Sequence, residues 1–168
     1  GATNFFTGDN SFRLNGKEWS VPKTLNGRPF YTTHAITDFA LQFISDQNVK
    51  IDSDPFFLYM AYNAPHYPLH APKKDVEKYK SEYDQGWDVV RRLRYEKQIK
   101  SGLIPDRFKL SPRAAHIPSW SELKESEKVW EARRMEVFAA MIDVIDQNIG
   151  RLISDLETRG VLDKTLFL

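Results

Sequence analysis

The sequence predicts an α/β fold with a mostly parallel central sheet covered by helices, and three observations carry that reading. Pro55-Phe-Phe-Leu-Tyr-Met-Ala-Tyr62 is a continuous, aromatic-rich apolar run, the pattern of a strand buried on both faces. Segments of helical period lie on either side of it, the longest from about Ser126 to Thr158. A second apolar run opens at Thr165, giving the order helix, strand, loop, two helices, strand. Both strands are expected to pair in parallel with parts of the protein beyond this chain.

Residues 1–32 scatter Gly, Asn and Pro among isolated aromatics, which predicts loops and short hairpins, with Asn15-Gly16 as a tight-turn signal. Thr33 is placed to cap a helix from His34 to Ser45, where Ile36, Phe39, Ala40, Phe43 and Ile44 recur at helical spacing. Asp54-Pro55 is a boundary, because a residue before proline is pushed away from helical backbone. The apolar run ends in Asn63-Ala-Pro-His66-Tyr-Pro-Leu-His70-Ala-Pro72, whose three prolines forbid regular structure. Lys73 to Tyr79 reads as one or two helical turns. A basic helix follows from about Trp87 to Lys100, with Trp87, Val90, Leu93 and Tyr95 facing inward and Ser101-Gly102 as its stop. Pro105, Pro112 and Pro118 predict an extended loop over 103–118, and Ser119-Trp-Ser-Glu122 has the spacing of a capping box. In the last helix Trp130, Val137, Met141, Ile145, Ile149, Leu152 and Leu156 share one face. Thirty-odd residues there would reach about 50 Å, which calls for a larger body to lie against.

The 168 residues suffice for one core. A net charge of +1 argues against bulk electrostatic binding of nucleic acid or anionic membrane. With no cysteine, the chain has no disulfide, thiolate metal site or cysteine nucleophile of its own. No stretch approaches the ~18–20 apolar residues of a membrane-spanning helix. Gly1-Ala-Thr-Asn has neither an initiator Met nor the features of a signal peptide, and Leu166-Phe-Leu168 stops inside a strand pattern. Residues 1–168 are therefore expected to be an internal segment of one domain, incomplete at both ends.

His66 is the strongest candidate for chemistry. A buried strand running into a proline-stiffened turn holds the next side chains at its carboxyl edge, where open α/β sheets place ligands. Near neutral pH an imidazole held there can donate to an anionic oxygen or protonate a leaving group. The alternative is a histidine packed against Tyr62 or Tyr67, by residue type alone the commoner state. His66 and His70 are four apart, but Pro68 between them removes the helical geometry a metal pair needs. His34 and His116 read as surface or packing residues. Arg91, Arg92, Arg94, Lys97 and Lys100 read as a solvated helix face rather than a nucleic-acid surface, since no stacking platform accompanies them. Asp143 and Asp146 read as salt-bridging residues flanking an apolar stripe, and Ser111-Pro-Arg113 as a loop.

From Pro55 to Pro72 the residues resemble the central strand and histidine loop of the arylsulfatases, in the alkaline-phosphatase-like superfamily. Tyr83-Asp-Gln-Gly-Trp-Asp88, the run Trp130 to Gly150, and Gly160-Val-Leu-Asp-Lys-Thr-Leu-Phe-Leu168 resemble later blocks of the same family in the same order. The resemblance covers Tyr31 to Leu168 and implies an alkaline-phosphatase-like sandwich. It implies a sulfuric ester hydrolase whose formylglycine nucleophile and calcium ligands lie outside this segment. Among family positions, His66 matches the histidine that touches the sulfate ester and serves as acid for the departing alcohol. Tyr67 and His70 are expected beside the substrate, and residues 67–125 to shape its entrance. No metal ligand is assigned within the chain.

The resemblance further implies a sulfated small molecule or glycan as substrate and a periplasmic or secreted setting, with no nucleic-acid or membrane partner. The segment needs the remainder of its catalytic domain as partner and is expected to be inactive alone, because one histidine cannot supply nucleophile, acid and charge stabilisation together. Two alternatives stand beside it: a phosphomonoesterase or phosphodiesterase of the same superfamily, and a non-catalytic binding module.

Overall fold

The computed structural model describes residues 4–8 and 12–168. Two hairpins open it. β1 (Arg13–Leu14) and β2 (Lys17–Glu18) turn at Asn15-Gly16, with φ of 52° and 77°. Positive φ at both central residues is the turn type whose twist matches paired strands, and Asn-Gly adopts it at least cost. β3 (Thr24–Leu25) and β4 (Arg28–Pro29) repeat the device at Asn26-Gly27, with φ of 50° and 75°.

α1 (Thr32–Asp46) starts one residue before the expected cap, so Thr33 sits inside its first turn. Thr32 takes the anchoring role, its Oγ1 donating to the Phe5 carbonyl at 3.0 Å while its N–H donates to the same oxygen at 2.9 Å. α2 (Lys73–Val76) continues into a 3₁₀ turn over Glu77–Tyr79, and α3 spans Gly86–Lys100. The predicted capping box opens a separate 3₁₀ turn, Trp120–Glu122, in which Ser119 N–H donates to Glu122 Oε2 at 2.7 Å. α4 follows as one unbroken helix of 34 residues, Glu125–Thr158.

α4 joins two apolar clusters. Phe5, Tyr31, Ala64, Met141 and Val144 form the first; Ile44, Val49, Leu152, Leu156 and Val161 form the second. Met141 and Val144 are fully buried, so truncating Met141 to Ala is expected to cost about 2–5 kcal/mol. The buried face is not the straight stripe the periodicity predicts. It runs Ala132, Glu136, Ala140, Val144, Asn148, Leu152, Leu156, each four residues on. Each such step advances about 40° around the axis, so the face winds, meeting α2 and its 3₁₀ turn along one part and α1 along another. Trp130 and Ile149 consequently lie exposed, as does Leu93 on α3.

The two predicted strands differ most from expectation. Phe56–Tyr62 has no ladder partner among the described residues, and Thr165 onward follows a 3₁₀ turn (Leu162–Lys164) without pairing. A strand is defined by hydrogen bonds to a neighbour, and neither segment pairs with another strand among the described residues. The only sheets among the described residues are the two antiparallel hairpins. Phe56–Tyr62 is not buried on both faces either: Phe57 and Tyr59 are 91% and 80% exposed, while Leu58 joins the second cluster.

Candidate functional site

The histidine turn stands on buried feet. Tyr62 OH and Thr37 Oγ1 hydrogen-bond at 2.7 Å, tying the Phe56–Tyr62 segment to α1. Ala64 is buried in the first cluster, and Leu69 and Ala71 pack against it on the far side of the turn. The Ala64–Pro65 and Tyr67–Pro68 peptide bonds are both cis. Between these anchors His66 and Tyr67 stand exposed.

His66 N–H donates to the Asn63 carbonyl at 3.0 Å, and Nδ1 lies 2.6 Å from the Tyr67 carbonyl oxygen. A carbonyl only accepts, so Nδ1 carries a proton and Nε2 is the nitrogen left for other chemistry. Tyr67 is held from α4: Arg134 Nη2 donates to its hydroxyl, and the guanidinium lies 5.8 Å from its ring centre. Glu131 grips the same arginine at 2.7 and 2.9 Å. His70 faces the other way. Its Nδ1 accepts the Phe5 N–H at 3.3 Å, its ring meets Phe5 and Phe6, and its carbonyl accepts from Tyr31 OH at 2.8 Å. The turn thus brings His66 and Tyr67 to the surface together and sets His70 against the N-terminal aromatics.

The remaining candidates are engaged locally. Asp143 accepts from Lys78 at 2.8 Å and Gln147 at 3.0 Å, whereas Asp146 is exposed, so the two carboxylates do not form a pair. Ser111 Oγ accepts from Arg91 at 2.8 Å, and Arg113 pairs with Asp88 at 2.9 Å. His116 is exposed.

Sequence reasoning missed a buried polar joint between α1 and α4. Asp38, its side chain 3% exposed, accepts from Arg28 at 2.5 Å and Arg151 at 2.6 Å. Burial alone would raise its pKa, but the two guanidiniums outweigh that and hold the carboxyl below the usual range. Beside it Asn148 Nδ2 donates to His34 Nδ1 at 3.0 Å, and Asn148 Oδ1 accepts from Arg151 at 2.8 Å. Burial, aided by the nearby Arg28 and Arg151, pushes the His34 pKa down against the raising effect of Asn148 Oδ1, 3.4 Å from Nδ1, which would accept from the protonated ring. The one signal for this joint was a set of polar residues on buried helix faces, Asp38 among them, which composition alone does not reveal.

Asp38 and Asp75 each keep one buried carboxylate oxygen without a partner. Neither fits calcium, which takes 6–8 oxygen ligands: Asp38 already holds two arginines, and Lys78 lies 2.9 Å from Asp75. Among the described residues no group of three or more His, Asp or Glu is placed to hold a metal.

A second concave feature lies where α3, the 103–118 loop and α4 meet. Gly86 begins α3 with φ of +82°, and a Cβ there would fall 2.1 Å from the Trp120 ring. The missing side chain lets Trp120 lie on the backbone, edge-to-face with Trp87 at 4.9 Å between ring centres. These rings wall a cavity of about 640 Å³.

The sulfatase family model matches residues 1–168. An uncharacterized sulfatase of Schizosaccharomyces pombe is 41% identical over 131 residues, covering 77% of this chain and 24% of that protein. An arylsulfatase of Klebsiella aerogenes is 32% identical over 139 residues, covering 83% of this chain and 29% of that protein. The chain therefore matches only 24% and 29% of the length of these relatives. By the match over its whole length, this chain belongs to the sulfatase family, whose fold is of the α/β class.

Proposed function

We propose that the chain is a segment of a catalytic domain that hydrolyses sulfate esters, with His66 contacting the ester and protonating the departing alcohol. The observation that carries this is the imidazole itself: exposed, seated on anchored feet, with Nδ1–H committed to the Tyr67 carbonyl. Nε2, when it too carries a proton, would give that proton to the leaving oxygen as the sulfur–oxygen bond breaks and the sulfuryl group passes to a nucleophile outside this chain, leaving a neutral ring and a neutral alcohol. Family membership supports the substrate class.

Tyr67 is assigned to the substrate side of the turn, and His70 to its margin. The formylglycine nucleophile and calcium implied by the resemblance belong to the rest of the domain, since the described residues do not fit that ion. In the complete domain Phe56–Tyr62 would be a strand of a mostly parallel sheet; its continuous apolar run, left without a ladder among the described residues, supports that placement.

The test uses the full-length protein that contains this chain. His66→Ala is expected to lower kcat/KM for aryl sulfates by about 10²–10⁴-fold, the usual contribution of a positioned acid. The loss should deepen as the leaving phenol becomes less acidic, because a poor leaving group needs the proton most. A loss that is equal for all phenols would refute the acid role, and an unchanged rate would refute any role.

A further inference from the structure

The cavity between α3, the 103–118 loop and α4 has a charge imbalance. Two acids line it, and both are taken: Asp88 accepts from Arg113 and from the Trp120 N–H, each at 2.9 Å, and Glu131 holds Arg134 bidentately. Two further guanidiniums line it without a carboxylate. Arg91 hydrogen-bonds only the neutral Ser111 hydroxyl and acts on Asp88 through space alone, and Arg94 has no hydrogen-bond or ion-pair partner among the described residues. Around them the wall is apolar and aromatic, built from Trp87, Trp120, Val90, Ile117 and Met135. A volume of about 640 Å³ is in the range of small-molecule sites.

A chain of hydrogen-bonded side chains links the cavity wall to the histidine turn. Glu131 lines the cavity, Glu131 holds Arg134, and Arg134 holds the Tyr67 hydroxyl next to His66. From this continuity we infer that the cavity is the subsite for the organic body of the substrate, and that the preferred substrate is an aryl sulfate carrying a second anionic group, a carboxylate or another sulfate. The ring lies against the indoles, and the second anion pairs with Arg94 and Arg91, whose planar forks suit carboxylate and sulfate oxygens. This inference rests on the proposed hydrolysis at His66 only for the word substrate; the binding site stands on its own geometry.

Two readouts on the full-length protein separate the claims. Naphthalene-2-carboxylate should quench tryptophan emission saturably, more strongly than neutral naphthalene, with the saturable part lost in Trp87→Phe and weakened about tenfold or more in Arg94→Ala. The same Arg94→Ala change should raise KM for a carboxylated aryl sulfate by a similar factor while leaving that for an uncharged aryl sulfate near its original value. His66→Ala should lower hydrolysis by about 10²-fold or more and leave quenching intact, so a failure of the acid assignment would not be mistaken for a failure of the cavity. Absence of saturable quenching, the result expected if another part of the protein fills the cavity, overturns the inference. So does an Arg94→Ala effect that is equal for charged and uncharged esters.

Discussion

His34 and His66 are the same residue under opposite conditions, and the regions around them differ in the same way. At the α1–α4 joint every charge has a partner of the same chain: Asp38 faces Arg28 and Arg151, Asn148 bridges Arg151 to His34, and burial keeps His34 neutral. On the outer side His66 spends one nitrogen on a neighbouring carbonyl and leaves the other unclaimed, while Arg94 has no acid. Polar groups that satisfy one another hold a fold together. Those with spare capacity are available to a ligand.

The contrast can be broken from either side. Within the two regions compared, the largest stability effect is expected at Gly86. Gly86→Ala forces a Cβ into Trp120 and imposes a positive φ on an L side chain, for about 2–4 kcal/mol lost, read by chemical denaturation. Its signature is a disturbed Trp87–Trp120 pair in near-ultraviolet circular dichroism with the α1–α4 joint intact. Next comes Asp38→Ala, which leaves two arginines facing a buried site; because both reach solvent, about 2–3 kcal/mol is expected rather than the larger penalty of a fully enclosed pair. Its contribution is present above the unfolded carboxyl pKa near 4 and is lost as pH falls through its lower native value. The smallest effect belongs to His34. Its native pKa lies below 6.5, so the unfolded chain takes up the proton first and stability should decline as pH drops from about 7 toward that native value. Denaturation midpoints at pH 7.5 and 5.5 measure it, and His34→Gln should flatten the difference; a midpoint that rises on acidification would contradict the assignment.

The legible parts of the fold were the local ones. Asn15-Gly16 specified its own turn, the 3.6-residue period marked α1, α3 and α4 to within a residue or two, and Ser119 with Glu122 marked a helix start that forms a single 3₁₀ turn through their own hydrogen bond. The winding face of α4 was not legible, because its direction depends on which neighbour lies along each turn. Pairing of Phe56–Tyr62 was not either, since a ladder needs a second strand that the residues do not name. At the candidate site, the prolines around His66 announced a held imidazole. The Asp38–Arg151 pair, 113 positions apart, and the Gly86–Trp120 contact announced nothing, because neither residue of either pair is unusual by itself.

A paired substitution in the full-length protein tests most directly the assignment of His66 as the chemical histidine and His34 as the structural one. His66→Gln and His34→Gln are each measured for aryl sulfate turnover and for urea midpoint at pH 7.5. The prediction is a crossed result: His66→Gln loses turnover by about 10²-fold or more with its midpoint unmoved, and His34→Gln shifts the midpoint while its folded fraction turns over normally. Turnover that survives His66→Gln, or a midpoint that falls with it as far as with His34→Gln, would contradict the division of labour.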